Sequence, residues 1–112
     1  MRHKITLPQL KKYDVTQKVI ESLADAASRA IVFSIVHKGK TAGDLSHALK
    51  IPLSSVYKKL SDLEYLTLIE IEKYTTSENG RRFKVYRSRI NKAEIIIKKP
   101  EPIISLSAND AK

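Results

Sequence analysis

The stretch TAGDLSHALKIPLSSVYKKLSDL, residues 41–63, decides the fold. Thr41 is followed three residues later by Asp44, a pattern that marks the start of a helix because the two side chains cap each other's backbone. Pro52 predicts a break further along. Apolar residues recur at helical spacing on both sides of that break: Leu45, Ala48 and Leu49 before it, and Val56, Leu60 and Leu63 after it. The stretch therefore predicts two amphipathic helices joined by a turn of about four residues, 50–53.

This spacing is typical of a helix-turn-helix, whose second helix enters the major groove of DNA. We expect Ser54 to cap that helix and residues 54–63 to form it. Its outer face carries groups that donate hydrogen bonds to phosphates or base edges: Ser54, Ser55, Tyr57, Lys58 and Lys59. This face has no arginine, the residue that reads guanine best, so we expect modest base specificity.

After residue 66 the apolar period changes to two, which predicts a β-hairpin with its turn at Asn79-Gly80. Five cations and no acid lie within residues 81–89. A ribbon beside the second helix would lie along the phosphate backbone, with its tip near the minor groove. The residues expected to contact DNA in this way are Lys73, Arg81, Arg82, Lys84 and Arg87, together with Thr41 at the start of the first helix.

The chain before this region is predicted to contain an arm and two helices. Residues 1–13 are basic and contain Pro8, so we expect a flexible or extended arm. Asp14 with Gln17 resembles a capping box and predicts a helix that ends near residue 24. Asp25 is expected to cap a second helix that is apolar nearly all round, and therefore buried, and that stops near Gly39.

The chain after residue 90 is β-prone in two pieces, 94–97 and 103–106, which a Pro-Glu-Pro break separates. These pieces are expected to form an extra hairpin, to pair with a second subunit or to add to the sheet edge of a partner. Residues 107–112 are expected to fray. The predicted division is an arm (1–13), a helical domain with a wing (14–90) and a C-terminal extension (91–112).

Composition limits the classes of protein to which the chain can belong. Its 112 residues suit one domain, and a net charge of +9 favours an anionic partner, of which nucleic acid is the commonest. The absence of cysteine excludes disulfides, thiolate metal sites and cysteine nucleophiles. No apolar run approaches the ~20 residues that a membrane span needs. We therefore expect a cytoplasmic protein that binds no membrane.

Four runs of this sequence resemble winged helix-turn-helix regulators and are most similar to the archaeal ArsR-like family: ADAASRAIVFSIV (24–36), TAGDLS (41–46), IPLSSVYKKL (51–60) and LEYLTLIE (63–70). The resemblance covers about residues 15–90. It implies an α+β fold of three to four helices and a hairpin, with 54–62 as the recognition helix and 73–86 as the wing. It also implies a homodimer, often with an effector. The family's paired-cysteine sensor motif is absent, and the C-terminus is strand-like rather than helical.

The sequence thus predicts a transcription regulator that docks helix 54–63 in the major groove of double-stranded DNA and wing 73–89 on its backbone. We expect no enzyme activity, no cofactor and no metal. Glu70 and Glu72 share a strand face and would suit a catalytic pair, but pairing with nearby wing cations is the simpler interpretation. Two alternatives remain open: a winged-helix interaction subunit of transcription or replication machinery, and an RNA-binding protein.

Overall fold

The fold is described by a computed structural model for residues 7–98 and 100–111. It is the predicted α+β arrangement, with helices first and hairpins after them. The helices are α1 (Leu7–Ala24), α2 (Ala26–Ser34), α3 (Ala42–Leu49) and α4 (Leu53–Tyr65). The strands are β1 (Ile69–Thr76), β2 (Arg82–Ser88), β3 (Ile90–Ile96) and β4 (Ile103–Ala108). Among the described helices, none has the length and apolar character that crossing a membrane requires.

Helix α1 begins earlier than the sequence predicted. The part of the expected arm from residue 7 to residue 13 is helical, and Asp14 lies inside the helix rather than at its start. Proline is tolerated in a first helical turn, where its missing N–H has no partner to lose, so Pro8 does not prevent this start. The remainder of the expected arm, residues 1–6, lies outside the described residues.

The helix starts at α2 and α3 are confirmed, and the one at α4 is not. Asp25 accepts hydrogen bonds from the backbone N–H and the hydroxyl of Ser28, at 2.9 and 2.8 Å. Thr41 and Asp44 form the full capping box. Helix α4 instead starts after Pro52, which has no side-chain capping bond, so Ser54 lies in the first turn and is not the cap. A proline just before the first turn has a backbone already close to the required geometry.

The turn between α3 and α4 is held by local hydrogen bonds. Lys50 adopts the left-handed conformation that commonly ends a helix (φ 56°). The hydroxyl of Ser46 then donates to the carbonyl of Ile51 at 2.6 Å, and the N–H of Ile51 donates back to the Ser46 carbonyl at 3.2 Å. The turn is therefore residues 50–52, and its length fixes how α4 crosses α3.

The core lies between α2, α3, α4 and the base of the first hairpin. Its largest fully buried side chains are Ile31, Val32, Ile35, Leu45, Val56, Leu60, Leu63, Leu68 and Ile69. Helix α2 is buried along one side only, because Phe33 and Ala30 are exposed, so the expectation of a helix buried all round is wrong. Burying one face of α4 leaves its opposite face in solvent.

Strands β1 and β2 form the predicted antiparallel hairpin around Asn79-Gly80. Gly80 has a φ of +83°, which explains the glycine at this turn. The backbone of Lys40 bonds both ways with that of Tyr86, at 3.0 and 2.8 Å, and so adds a short third strand to β2. The neighbouring Gly39 has no room for a larger side chain, because a Cβ there would lie only 2.7 Å from side-chain atoms of both Val85 and Glu72.

Strands β3 and β4 form a second antiparallel hairpin. The predicted fraying of 107–112 is wrong over the residues that are described. Residues 107 and 108 belong to β4, and the amide of Asn109 donates to the carbonyls of Val36 and Ser88, both at 2.9 Å. These bonds are to residues 73 and 21 positions away, so local sequence could not reveal them.

Candidate nucleic-acid interface

The solvent-facing side of α4 is a row of four residues, which we call the outer stripe: Ser54, Lys58, Ser61 and Tyr65. All four are exposed, and they lie opposite the buried residues Val56, Leu60 and Leu63. Tyr65 is 81% exposed. The predicted set included only Ser54 and Lys58 of this row. Extending the helical spacing from Lys58 by two more turns would have identified Ser61 and Tyr65 as well.

One flank of α4 faces the wing across an open cleft of about 240 Å³. The cleft is lined by Ala42, Tyr57, Arg81, Arg82, Phe83, Lys84 and Tyr86. No carboxylate is among these residues. Burial raises the pKa of Tyr86 above its ordinary value, so this phenol stays protonated at the base of the cleft. The structure thus brings one predicted residue of the helix, Tyr57, and three of the wing, Arg81, Arg82 and Lys84, to one cationic cleft.

Register explains why these wing cations face the helix. Arg82 and Lys84 alternate with Phe83 and Val85 along β2, so the two cations lie on the same face as Tyr86. Tyr86 is buried in the core, and this face continues past the core edge towards α4. The expectation that Arg82 and Lys84 share a face is confirmed.

Two wing arginines rest on aromatic rings. The guanidinium of Arg82 lies 4.4 Å from the ring centre of Tyr74, and that of Arg81 lies 5.5 Å from the ring centre of Phe83. A stacked guanidinium keeps its in-plane N–H groups free to donate to phosphate oxygens. The rings therefore hold the two cations in position without consuming their hydrogen-bond donors. Tyr74 was absent from the predicted set.

Arg87 has a different role from the one predicted. Its guanidinium donates to the Val36 carbonyl at 2.9 Å, to Glu72 at 2.7 Å and to the Ala111 carbonyl at 2.8 Å. Its side chain is only 15% exposed. Since its charge and donors are already used, Arg87 joins the wing to the chain end and is removed from the candidate interface.

The other flank of α4 contacts the start of α2. The ammonium of Lys59 lies 2.9 Å from the carboxylate of Asp25. Together with hydrogen bonds from Ser28, Lys59 lowers the pKa of Asp25 from 3.8 to about 2. Ser55 lies on this same flank, beside Glu21 and Asp25. Lys59 and Ser55 were expected on the outer face, but the structure places them beside carboxylates. Lys58 of the outer stripe and the exposed Asp62 line the same pocket.

Thr41 lies at the margin of the cleft, whereas Lys73 lies on the back of the wing. The hydroxyl oxygen of Thr41 accepts the Asp44 N–H, and the hydroxyl hydrogen remains available as a donor. Thr41 directly precedes Ala42, which lines the cleft. Lys73 is exposed but is paired with Val85 across the ribbon, so it lies on the opposite face of the wing from Arg82.

The two strand carboxylates that could have formed a catalytic pair are each matched to an arginine. Glu72 bonds Arg87 at 2.7 Å, and Glu70 lies 3.6 Å from Arg89. A register shift between Ile71 and Lys73 marks a bulge between them. The simpler interpretation, pairing with wing cations, is therefore confirmed.

Comparison with known proteins shows the fold. No protein-family model matches the chain, and none of the curated proteins matches it in sequence. Among solved structures, it is similar to NolR from Sinorhizobium fredii, with a TM-score of 0.58 and 15% identity, over 78% of this chain and 81% of that one. NolR is a winged helix-turn-helix protein. The fold of this chain is therefore a winged helix, with α3 and α4 as the helix-turn-helix and β1–β2 as the wing.

Proposed function

We propose that this protein is a DNA-binding transcription regulator. The observation that carries the proposal is the cleft free of carboxylates in which Tyr57 of α4 faces the wing cations Arg81, Arg82 and Lys84. A helix of this kind fits a major groove that is about 12 Å wide. The similarity in fold to NolR, a transcriptional regulator, supports the same assignment.

In the proposed complex the helix reads bases and the wing binds the backbone. Lys58, Tyr57 and the hydroxyls of the outer stripe face base edges and nearby phosphates in the major groove. Arg81, Arg82 and Lys84 contact phosphates beside the groove, with Arg81 next to the wing tip. Thr41 donates its hydroxyl hydrogen to a phosphate at the cleft margin. Ser55 and Lys59 orient α4 on α2, and Lys73 adds charge from the back of the wing.

We also propose a homodimer, because regulators with this motif commonly bind two half-sites of DNA with twofold symmetry. Membership of the archaeal ArsR-like family, a cytoplasmic location and response to an effector remain predictions. So do the two alternatives, an interaction subunit and an RNA-binding protein. A structured RNA that displaced duplex DNA from the protein at equal concentration would favour the second alternative.

The proposal is tested by comparing two double variants of equal charge. Arg82→Gln/Lys84→Gln removes two cations from the cleft, and Lys38→Gln/Lys98→Gln removes two exposed cations that do not line it. Fluorescence anisotropy with random duplex DNA measures both. We expect the cleft variant to bind all sequences about 10–100-fold more weakly, because each phosphate contact contributes to affinity without regard to sequence.

The control variant should bind within about threefold of the parent, since neither lysine lines the cleft and exposed charges that make no phosphate contact are partly screened by salt. If both variants lost the same amount of DNA affinity, net charge alone would explain the effect, and this result would contradict a defined interface. Unchanged binding by the cleft variant would contradict the wing's proposed role directly.

A further inference from the structure

The outer half of the second hairpin is apolar on both of its faces. Ile95 is opposite Ile104 and Ile96 is opposite Ile103 in the register, and adjacent pairs point to opposite sides of a ribbon. Large aliphatic side chains remain 39–74% exposed along it: Ile95, Ile96, Ile97, Ile103 and Leu106. By contrast, Ile90 at the base of the hairpin is buried in the core. The hairpin is thus anchored on the core through Ile90, Ala93 and Ile104, while these five aliphatic side chains stay exposed.

Such a ribbon gains stability when another strand adds to it. A two-stranded hairpin is marginal in water, and three or more strands with a covered apolar face are needed for stability. In the described part of the chain, β3 and β4 pair only with each other. The wing differs in having Lys40 as an additional strand. The second hairpin therefore has room for a further strand.

The edge available for this strand is that of β4. Strand β4 has the sequence IISLSA, with no charge and no proline, whereas strand edges usually carry lysine or proline to prevent pairing. The N–H of Asn109 points inward, to the carbonyl of Arg89. Because direction alternates along an antiparallel strand, Ile104, Leu106 and Ala108 present their N–H and C=O groups outward.

We propose that β4 pairs antiparallel with β4 of a second copy of this chain, joining the two hairpins into one four-stranded sheet. The inference rests on the proposed function in one respect, because a regulator that reads two half-sites needs two copies held by a fixed interface. Antiparallel pairing of β4 with itself around Leu106 keeps Ile104 and Leu106 of both copies on one face of the joined sheet.

Charge favours a second copy as the occupant of this edge. The chain carries +9, so most of its surface repels another copy. The segment 103–108 is uncharged, and two such strands meet without like-charge repulsion.

Self-complementarity points to the same occupant. Pairing around Leu106 places Leu106 opposite Leu106, Ile104 opposite Ala108 and Ser105 opposite Ser107, so apolar side chains meet on one face and hydroxyls on the other.

The test is the mass of the full chain in solution without DNA, by sedimentation velocity and light scattering over a concentration series. We expect a dimer of twice 12.7 kDa. Leu106→Pro removes an outward N–H and leaves the β3–β4 bonds in place. Because the substitution enters a symmetric interface twice, it should raise the dimer dissociation constant at least about 100-fold.

Two further variants keep the proposal testable if Leu106→Pro unfolds. Leu106→Lys places two like charges opposite each other at the centre of the pairing and should also give monomers. Val15→Ser is the matched control, because Val15 is 52% exposed on α1, and it should remain a dimer. Circular dichroism verifies the fold of each.

A monomeric parent chain overturns the proposal, whatever other partner the hairpin then takes. A dimer that persists in both hairpin variants, or that dissociates only in Val15→Ser, also overturns it by placing the interface elsewhere. These results do not decide the DNA-binding proposal, which is tested separately. The Leu106→Pro monomer keeps α4 and the wing, so it should still bind duplex DNA, with about half the salt dependence of the dimer.

Discussion

The two hairpins of this molecule have the same backbone design and opposite surfaces. Each is antiparallel and each contains one register irregularity, and the first ends at Ser88 just before the second begins at Ile90. The wing presents Arg81, Arg82 and Lys84, whereas the second hairpin presents isoleucine and leucine beside an uncharged edge. The difference teaches that side chains, rather than the hairpin itself, select the partner: we propose a polyanion for one ribbon and an apolar strand for the other.

The largest expected effect is on the free energy of unfolding, and it differs between the hairpins because the wing is more deeply buried in the core. Tyr86→Ala in the wing removes a ring that is only 5% exposed and should lower the free energy of unfolding by about 3–5 kcal/mol. Ile104→Ala in the second hairpin removes a half-buried side chain and should cost about 1–2 kcal/mol. Urea denaturation measures both. Equal losses would mean that the second hairpin is as much part of the core as the wing.

The next effect concerns the junction of the two hairpins. Asn109→Ala removes the hydrogen bonds to the Val36 and Ser88 carbonyls and should lower the free energy of unfolding by about 1–3 kcal/mol, because two part-buried hydrogen bonds are lost. Asn91→Ala, which loses a single exposed bond at 3.2 Å, is the control and should cost less than about 0.5 kcal/mol. If the two variants unfold alike, the C-terminal extension stands as a separate unit beyond residue 90, as the sequence predicted.

A smaller effect is expected from the ring beneath Arg82. Tyr74→Leu removes the aromatic face 4.4 Å from the guanidinium and should weaken DNA binding about two- to fivefold, because the arginine loses its fixed position. Tyr74→Phe keeps the ring and should bind like the parent. Anisotropy titrations distinguish the two, and a matching loss in Tyr74→Phe would assign the effect to the hydroxyl instead.

The smallest expected effect is a pH dependence of stability, which comes from the Asp25–Lys59 pair at the flank of α4 rather than from either hairpin. The pKa of Asp25 falls from 3.8 to about 2 in the folded chain, so its contribution to stability is present above pH 4 and is lost as the pH falls towards 2. Thermal melting of Asp25→Asn against the parent should show a difference that shrinks over this range. A constant difference from pH 5 to pH 2 would contradict the assignment.

Local signals in the sequence predicted the fold, and long-range contacts limited prediction of the site. The capping box at Thr41, the spacing of Val56, Leu60 and Leu63, and the Asn79-Gly80 turn each act within a few residues, and each was confirmed. The partners of Arg87 are as far as 51 positions away, and Lys59 and Asp25 are 34 apart. Periodicity alone carries no information about such pairs.

The stacking of Arg82 on Tyr74 shows a second limit. It depends on the strand register, which a bulge between Ile71 and Lys73 shifts by one residue. Alternation along each strand predicted correctly which cations share a face. It could not predict which ring on the other strand lies beneath them, because the bulge has no clear mark in the sequence.

The most direct test of the cationic surface is the affinity of the parent chain for duplex DNA at two salt concentrations. If the two copies together neutralise about 6–10 phosphates, the dissociation constant should rise about 10³–10⁵-fold between 50 and 200 mM salt. The dimer constant, set by an uncharged strand edge, should change little over the same range. A DNA affinity that changed less than about tenfold would contradict the account, because a surface that contacts few phosphates cannot be the wing and helix interface proposed here.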